Sequence, residues 1–299
     1  KRALYEEVQR GAKRVFDILS LAYDPKDMRA VYRGSCSASK AIRAGALELL
    51  DNVVAHDARR WVMAVVEEVS AFDFKKIARS VFGKEPEEKV KLLRRAMRGK
   101  SDWLRIVGLW EVGQGAEGEL EDEVARWGDG FSKKTSEVAR RALEEMHHGK
   151  VEERAMGLTV VEKVLKLQGV DVLKEASTED LAYVAQIAEE VETLAGEVIY
   201  NPGDLPDGLY VILSGEVKLH RGSEDIANLG SGESFGSWAL LDGSPRVASA
   251  TMLSRGVLLR VDRDEFIDVM GDRVELVQAI FKAAVARLRN LASEERLQG

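Results

Sequence analysis

A glycine that leads into a short apolar helical turn, followed ten residues later by an arginine behind a proline, is the arrangement in this chain best suited to chemistry. It runs Phe235-Gly236-Ser237-Trp238-Ala239-Leu240-Leu241-Asp242-Gly243-Ser244-Pro245-Arg246-Val247-Ala248 and continues to Thr251. The chemistry it fits is capture of one compact anion. Amide N–H groups at a helix start point at the anion, and a guanidinium closes on it from the far side. Covalent chemistry has no comparable support. No hydrolase elbow, Walker loop, Rossmann fingerprint or metal-binding helix can be read. His147-His148 are adjacent and so point in different directions on a helix, and they read as a solvated helix end. His56 and His220 show no recognisable partners, and Cys36 shows no base. A binding protein is expected, not an enzyme.

Short alternating segments with glycine turns must position that stretch. Strands are expected at Val198–Tyr200, Leu209–Leu213, Val217–His220, about Ile226–Leu229, Ala248–Leu253 and Val257–Val261. Their spacing suits a small antiparallel barrel or jelly roll. Ser177 caps an expected helix to Ala188, with Asp180 at its third position. A long closing helix places Val274, Val277, Phe281, Ala284, Val285, Leu288 and Leu291 on one face behind Asp272 as cap.

Gly203-Asp204, Tyr210-Val211-Ile212, Gly215, Leu229-Gly230, Gly232, Phe235-Gly236, Ala239-Leu240-Leu241 and Pro245-Arg246 sit at the spacing of cyclic-nucleotide-binding domains. The segment from about 158 to 292 therefore resembles that family, which includes CRP and the regulatory subunits of protein kinase A. The resemblance implies a β-roll with flanking helices over 158–295. It also implies a site made of Gly236, Ser237, Trp238, Ala239, Arg246, Val247 and Ala248. The backbone at Gly236, Trp238 and Ala239 would line the phosphate of cAMP or cGMP. Arg246 would pair with that phosphate, Val247 and Ala248 would flank it, and the last helix would move as a lid. No resident cofactor is implied.

Ser237 departs from the pattern. Ligand-binding members usually carry a glutamate there, which accepts a hydrogen bond from the ribose 2′-hydroxyl. A serine is shorter and uncharged, and it reaches that hydroxyl only through a water. Losing one charge-assisted hydrogen bond costs about 1.5–3 kcal/mol, roughly ten- to 150-fold in affinity. Three outcomes stay open: weakened cyclic-nucleotide binding, a different small anionic ligand, or a barrel that keeps its fold without a ligand.

The first half is written in another style. Four of five tryptophans precede residue 150, whereas three of five prolines lie between 202 and 245. Leu4, Val8, Val15, Ile18 and Leu19 form a helical stripe, and Pro25 suits the first turn of the next helix. Ala46-Leu47, Gly108-Leu109 and Ala142-Leu143 occupy like positions, with a degenerate unit around Ile77-Ala78. Units in the thirties of residues imply an α-solenoid, the alternative being an irregular helical bundle. Trp61, Trp103, Trp110 and Trp127 read as its core.

Tyr23-Asp24-Pro25, Ala46-Leu47-Glu48-Leu49-Leu50-Asp51-Asn52 and Ser101-Asp102-Trp103-Leu104-Arg105 resemble HEAT-like repeats. The resemblance is to the soluble region of bacterial nucleotide-exchanger-like transporters of the major facilitator superfamily. An α+β multidomain chain is expected, with a HEAT-like solenoid over 1–150 and the β-roll after it. Partners implied are a small anionic ligand and a protein partner or a covalently linked membrane transporter domain. Opening on Lys1, the chain reads as a fragment.

Composition narrows the classes further. Of 299 residues 45% are hydrophobic and 32% charged, which suits a folded chain with a sizeable core. The longest apolar run, Trp61 to Val66, is far short of the ~18 residues of a membrane span. Cys36 alone allows no internal disulfide, and a cytoplasmic setting is expected. The net charge of −7 argues against nucleic acid, as does the short sequence after Leu288, too short for a DNA-reading helix pair. The sequence leaves the oligomeric state open.

Overall fold

The computed structural model describes residues 2–37, 39–54, 62–63, 66, 89–115, 118–129, 132–148 and 157–298. The chain divides into two compact units, Lys1–Arg95 and Ala96–Gly299.

In the first unit, α1 (Arg2–Leu19), α2 (Pro25–Ser35) and α3 (Lys40–Val53) are helices. Pro25 opens α2 as expected, and the Asp24 carboxylate accepts the Lys26 N–H at 2.6 Å. Proline has no N–H to strand in a first turn, and an Asp cap satisfies one of the donors left there. Phe16, Met28, Val31, Leu50 and Val54 form the core. Helix α4 (Lys89–Arg98) contains the boundary between the units.

The second unit starts with helices α5 (Asp102–Gly115), α6 (Glu121–Ala125) and α7 (Lys133–His148). Ala46-Leu47 thus lie on α3, Gly108-Leu109 on α5 and Ala142-Leu143 on α7. Ile77-Ala78, His56 and Trp61 lie outside the described residues. The N-terminal region is helical; the described helices do not establish a solenoid.

Composition changes near residue 150, but the contacts do not break there. Trp103 Nε1 donates to Thr178 Oγ1 at 2.8 Å, and Arg141 Nη1 donates to the Gly157 carbonyl at 2.7 Å. Arg141, almost fully buried, also lies 3.6 Å from Glu145 and 3.7 Å from Glu162. Burying these polar groups is tolerable only while they are paired. That ties α5 and α7 to the segment after 157.

Helices α8 (Val160–Leu167) and α9 (Thr178–Ile187) lead into the strands. Ser177 caps α9, its hydroxyl accepting the Asp180 N–H at 3.1 Å. Ser177→Ala should cost about 1 kcal/mol and lower the melting temperature by about 2–4 °C in a thermal melt. An unchanged melt would show that the cap is idle.

Two antiparallel four-stranded sheets form the β-roll. One has the order β1 (Ala188–Thr193), β8 (Gly256–Asp262), β3 (Gly208–Ser214) and β6 (Ser234–Phe235). The other has the order β2 (Val198–Tyr200), β7 (Ser249–Met252), β4 (Val217–Arg221) and β5 (Glu224–Leu229). Tyr200, Tyr210, Ile212, Val217, Phe235 and Met252 pack in one core cluster. Helix α10 (Ser237–Asp242) follows β6 after the single residue Gly236.

Two helices close the chain, not one. Asp262 caps α11 (Arg263–Asp272), accepting the Asp264 N–H at 2.9 Å, and α12 runs Val274–Gln298. Asp272 is the last residue of α11, where the sequence reading made it a cap. The face of α12 that packs on the protein is also different. Leu276, Ala279, Ile280 and Ala283 are buried, whereas Val274, Val277, Phe281 and Leu288 are exposed, Phe281 at 69%. This helix is apolar on two sides, and periodicity alone does not choose between them.

Candidate functional site

The β6–α10 connection forces the first feature of the site. Gly236 adopts φ +78°, a left-handed conformation that costs little only for glycine. A Cβ there would lie 2.6 Å from Arg246 Nη1. The glycine therefore serves both the turn and the close approach of the guanidinium.

Arg246 does not face outward. Its side chain is 2% exposed. Nη1 donates to the Gly236 carbonyl at 2.9 Å, and Nη2 donates to the Gly208 carbonyl at 2.5 Å and to Asp207 Oδ1 at 3.1 Å. The guanidinium lies 4.2 Å from the centre of the Tyr200 ring, a cation–π contact. Only Nε is buried without a hydrogen-bond partner. Backbone bonds fix the loop around it: Gly203 N–H to the Arg246 carbonyl and Arg246 N–H to the Asp204 carbonyl, both 2.8 Å.

Asp207 is the residue the sequence reading missed. Its carboxylate accepts the Tyr210 hydroxyl at 2.6 Å, pairs with Arg246, and lies 3.6 Å from Arg260. Burial works against its charge, but the hydrogen bonds from Tyr210 and Arg246 outweigh it and hold the carboxyl below its usual range. Burial, followed by the bond to Asp207, pushes the Tyr210 phenol up. Burial likewise raises Tyr200, against the pull of Arg246. A depressed carboxylate stabilises the fold above its unfolded value of about 4. That contribution disappears as pH falls through the lower folded value. Asp207→Asn should therefore flatten the loss of stability below about pH 4 relative to the native chain, read from melting temperature against pH. Parallel acid limbs would show that Asp207 takes no part in acid unfolding.

The remaining predicted residues are spread around this centre. Ser237 is buried at the start of α10, and Trp238 is half-buried. Arg287 of α12 lies 4.8 Å from the Trp238 ring centre and reaches Asp171 at 3.4 Å. Ala239 contributes backbone in α10. Val247 is exposed, with its carbonyl accepting from Arg221 at 3.2 Å, and Ala248 is half-buried. The structure brings Gly236 and Arg246 into contact and sets Trp238 under α12. Val247 faces solvent.

His220 and His147 have partners that the sequence did not reveal. His220 Nε2 meets Thr251 Oγ1 and Nδ1 meets the Gly222 carbonyl, both at 3.0 Å, and His147 meets Glu121 at 2.8 Å. Among the described residues no His, Cys, Asp and Glu cluster could hold a metal. No described helix is long and apolar enough to cross a membrane.

Residues 190–273 match the family described as cyclic nucleotide-binding domain. A CRP-like cAMP-activated global transcriptional regulator of Mycobacterium tuberculosis (strain ATCC 25618 / H37Rv) is 28% identical over 114 residues, 36% of this chain and 51% of that protein. The chain spans about half the length of the curated relatives it matches. The N-terminal domain of a transcriptional regulator from Streptomyces coelicolor A3(2) aligns at 30% identity and TM-score 0.40, covering 42% of this chain and 94% of that one. The catabolite activator protein of Thermus thermophilus aligns at 25% identity and TM-score 0.36, covering 43% and 63%. The C-terminal part of the chain is a cyclic-nucleotide-binding-type domain similar to that of CRP-family regulators. The Mycobacterium tuberculosis relative is described as a transcriptional regulator.

Proposed function

We propose that the C-terminal module is a non-catalytic sensor of a cyclic nucleotide, weakened or altered in its ligand by Ser237. Its output passes to a protein partner or to a linked membrane transporter domain, and nucleic acid is not its target. The ligand residues are Gly236, Ser237, Trp238, Ala239, Arg246, Val247 and Ala248, with HEAT-like helices on the N-terminal side.

The observation that carries this reading is the buried guanidinium of Arg246 against Gly236, with Nε left without a partner. A buried donor without a partner costs about 1–3 kcal/mol, and an anion beside it would recover that. To reach it, a phosphate must open the packing around Tyr200 or displace Asp207. The Arg287–Trp238 contact holds α12 over α10 in the meantime. Ligand shifts α12 only to the extent that it binds one arrangement more tightly. Calorimetry with cAMP and cGMP is the test, and no heat at about millimolar ligand removes the sensor.

A second reading has its own support. Asp207 and two carbonyls already occupy both terminal nitrogens of Arg246. This suits a degenerate barrel in a protein-interaction scaffold, where Arg246 only fastens loops.

A further inference from the structure

Within the second unit, away from Arg246, residues of α5, α7 and α9 help to line an open cavity of about 370 Å³. Lys134, Lys100, Trp103, Tyr183 and Gln186 are among the residues lining it, together with the acids Asp102 and Glu179. The volume lies near the lower end of the roughly 300–1,000 Å³ of small-molecule sites, room for a ligand with one ring.

The charges at this cavity are unevenly satisfied. Asp102 is ion-paired with Arg105, and Glu179 has an interaction of its own. Among the described residues, neither lysine has an ion pair or a side-chain hydrogen bond. Lys134 instead lies 5.5 Å from the centre of the Tyr183 ring, and burial lowers its pKa against the opposing pull of Asp102. A half-buried ammonium whose neighbouring carboxylate, Asp102, is already ion-paired with Arg105 gains from an anion placed beside it. The first turns of α5 and α7 reach the same cavity through Asp102, Trp103 and Lys134, and helix starts carry partial positive charge.

The apolar side of the cavity favours a flat body. Tyr183 is 38% exposed, and Arg273 lies 4.2 Å from its ring centre. Arg273 is itself held by Asp180 at 2.7 Å. The ring is thereby fixed in place. Trp103 is locked by its bond to Thr178. Preorganised aromatic surfaces bind planar groups at little entropic cost.

We propose that this cavity is a second ligand site, taking a small organic anion with one phosphate or carboxylate head on a single flat ring. Lys134 receives the head and Tyr183 packs against the ring. The site is separate from the Arg246 centre and does not depend on the sensor reading.

Calorimetry of the whole chain with phenyl phosphate, benzoate and benzylamine tests it. Saturable binding of at least one anion at about 1 mM or tighter is expected, and the tighter of the two identifies the head. Lys134→Gln should weaken it at least about tenfold, and Lys134→Arg should restore it. Tyr183→Ala offers an independent route, weakening phenyl phosphate more than inorganic phosphate. No saturable heat from either anion up to about 10 mM, equal binding of benzylamine, or full binding by Lys134→Gln would each overturn the site.

Discussion

Arg246→Ala is expected to lower the melting temperature by about 6–12 °C, from a loss of about 3 kcal/mol at roughly 2–4 °C per kcal/mol. The substitution strands the buried Gly208 carbonyl and the half-buried Gly236 carbonyl, at a cost of up to about 1–3 kcal/mol each. It also removes the cation–π contact with Tyr200. The penalty stays below that of breaking a fully buried ion pair because Asp207 is 46% exposed and water reaches it. The variant is thus destabilising whether or not the site binds a ligand, and loss of binding in it would not separate a sensor from a scaffold. Arg246→Lys keeps the charge but lacks the planar fork that reaches three acceptors, so it should recover only part of the loss. A shift below about 2 °C for Arg246→Ala would mean that the buried bonds carry no weight.

The β-roll was legible because short apolar runs with glycine turns have few other solutions. Leu209–Leu213 and Val257–Val261 both lie within observed strands. β1 was not, since Glu189, Glu190 and Glu192 break the apolar alternation in a strand that pairs only with β8. β6 is two residues long, too short for any period.

Spacing placed an arginine opposite Gly236 but carried no information on which way its guanidinium turns. That direction is set by Asp207 and the Gly208 carbonyl, from the start of β3. A signal existed in Pro206-Asp207-Gly208, an acid held between a proline and a glycine at a strand start, but it reads as an ordinary turn until the strands are paired. The composition change near residue 150 likewise carried no information on the bonds that cross it. Trp103 and Arg141 look like helix-core residues in sequence, and their bonds to Thr178 and Gly157 are long-range.

Ser237→Glu separates the two readings where Arg246→Ala does not. Ser237 is the first residue of α10, where a carboxylate is favoured by the free N–H groups and partial positive charge of a helix start. If cAMP binds with its ribose near this position, the added carboxylate supplies the missing charge-assisted hydrogen bond, about 1.5–3 kcal/mol. The dissociation constant for cAMP should then fall roughly ten- to 150-fold. Because Ser237 is buried, the longer side chain must be desolvated in the free protein, so the unliganded variant should melt slightly below the native chain. Added cAMP should more than reverse that, by the mass-action stabilisation of any ligand that binds only the folded state. A barrel that only fastens loops would show the first effect without the second. Calorimetry and melts of the same sample read both, and an unaltered response of Ser237→Glu to cAMP would leave Arg246 a structural residue.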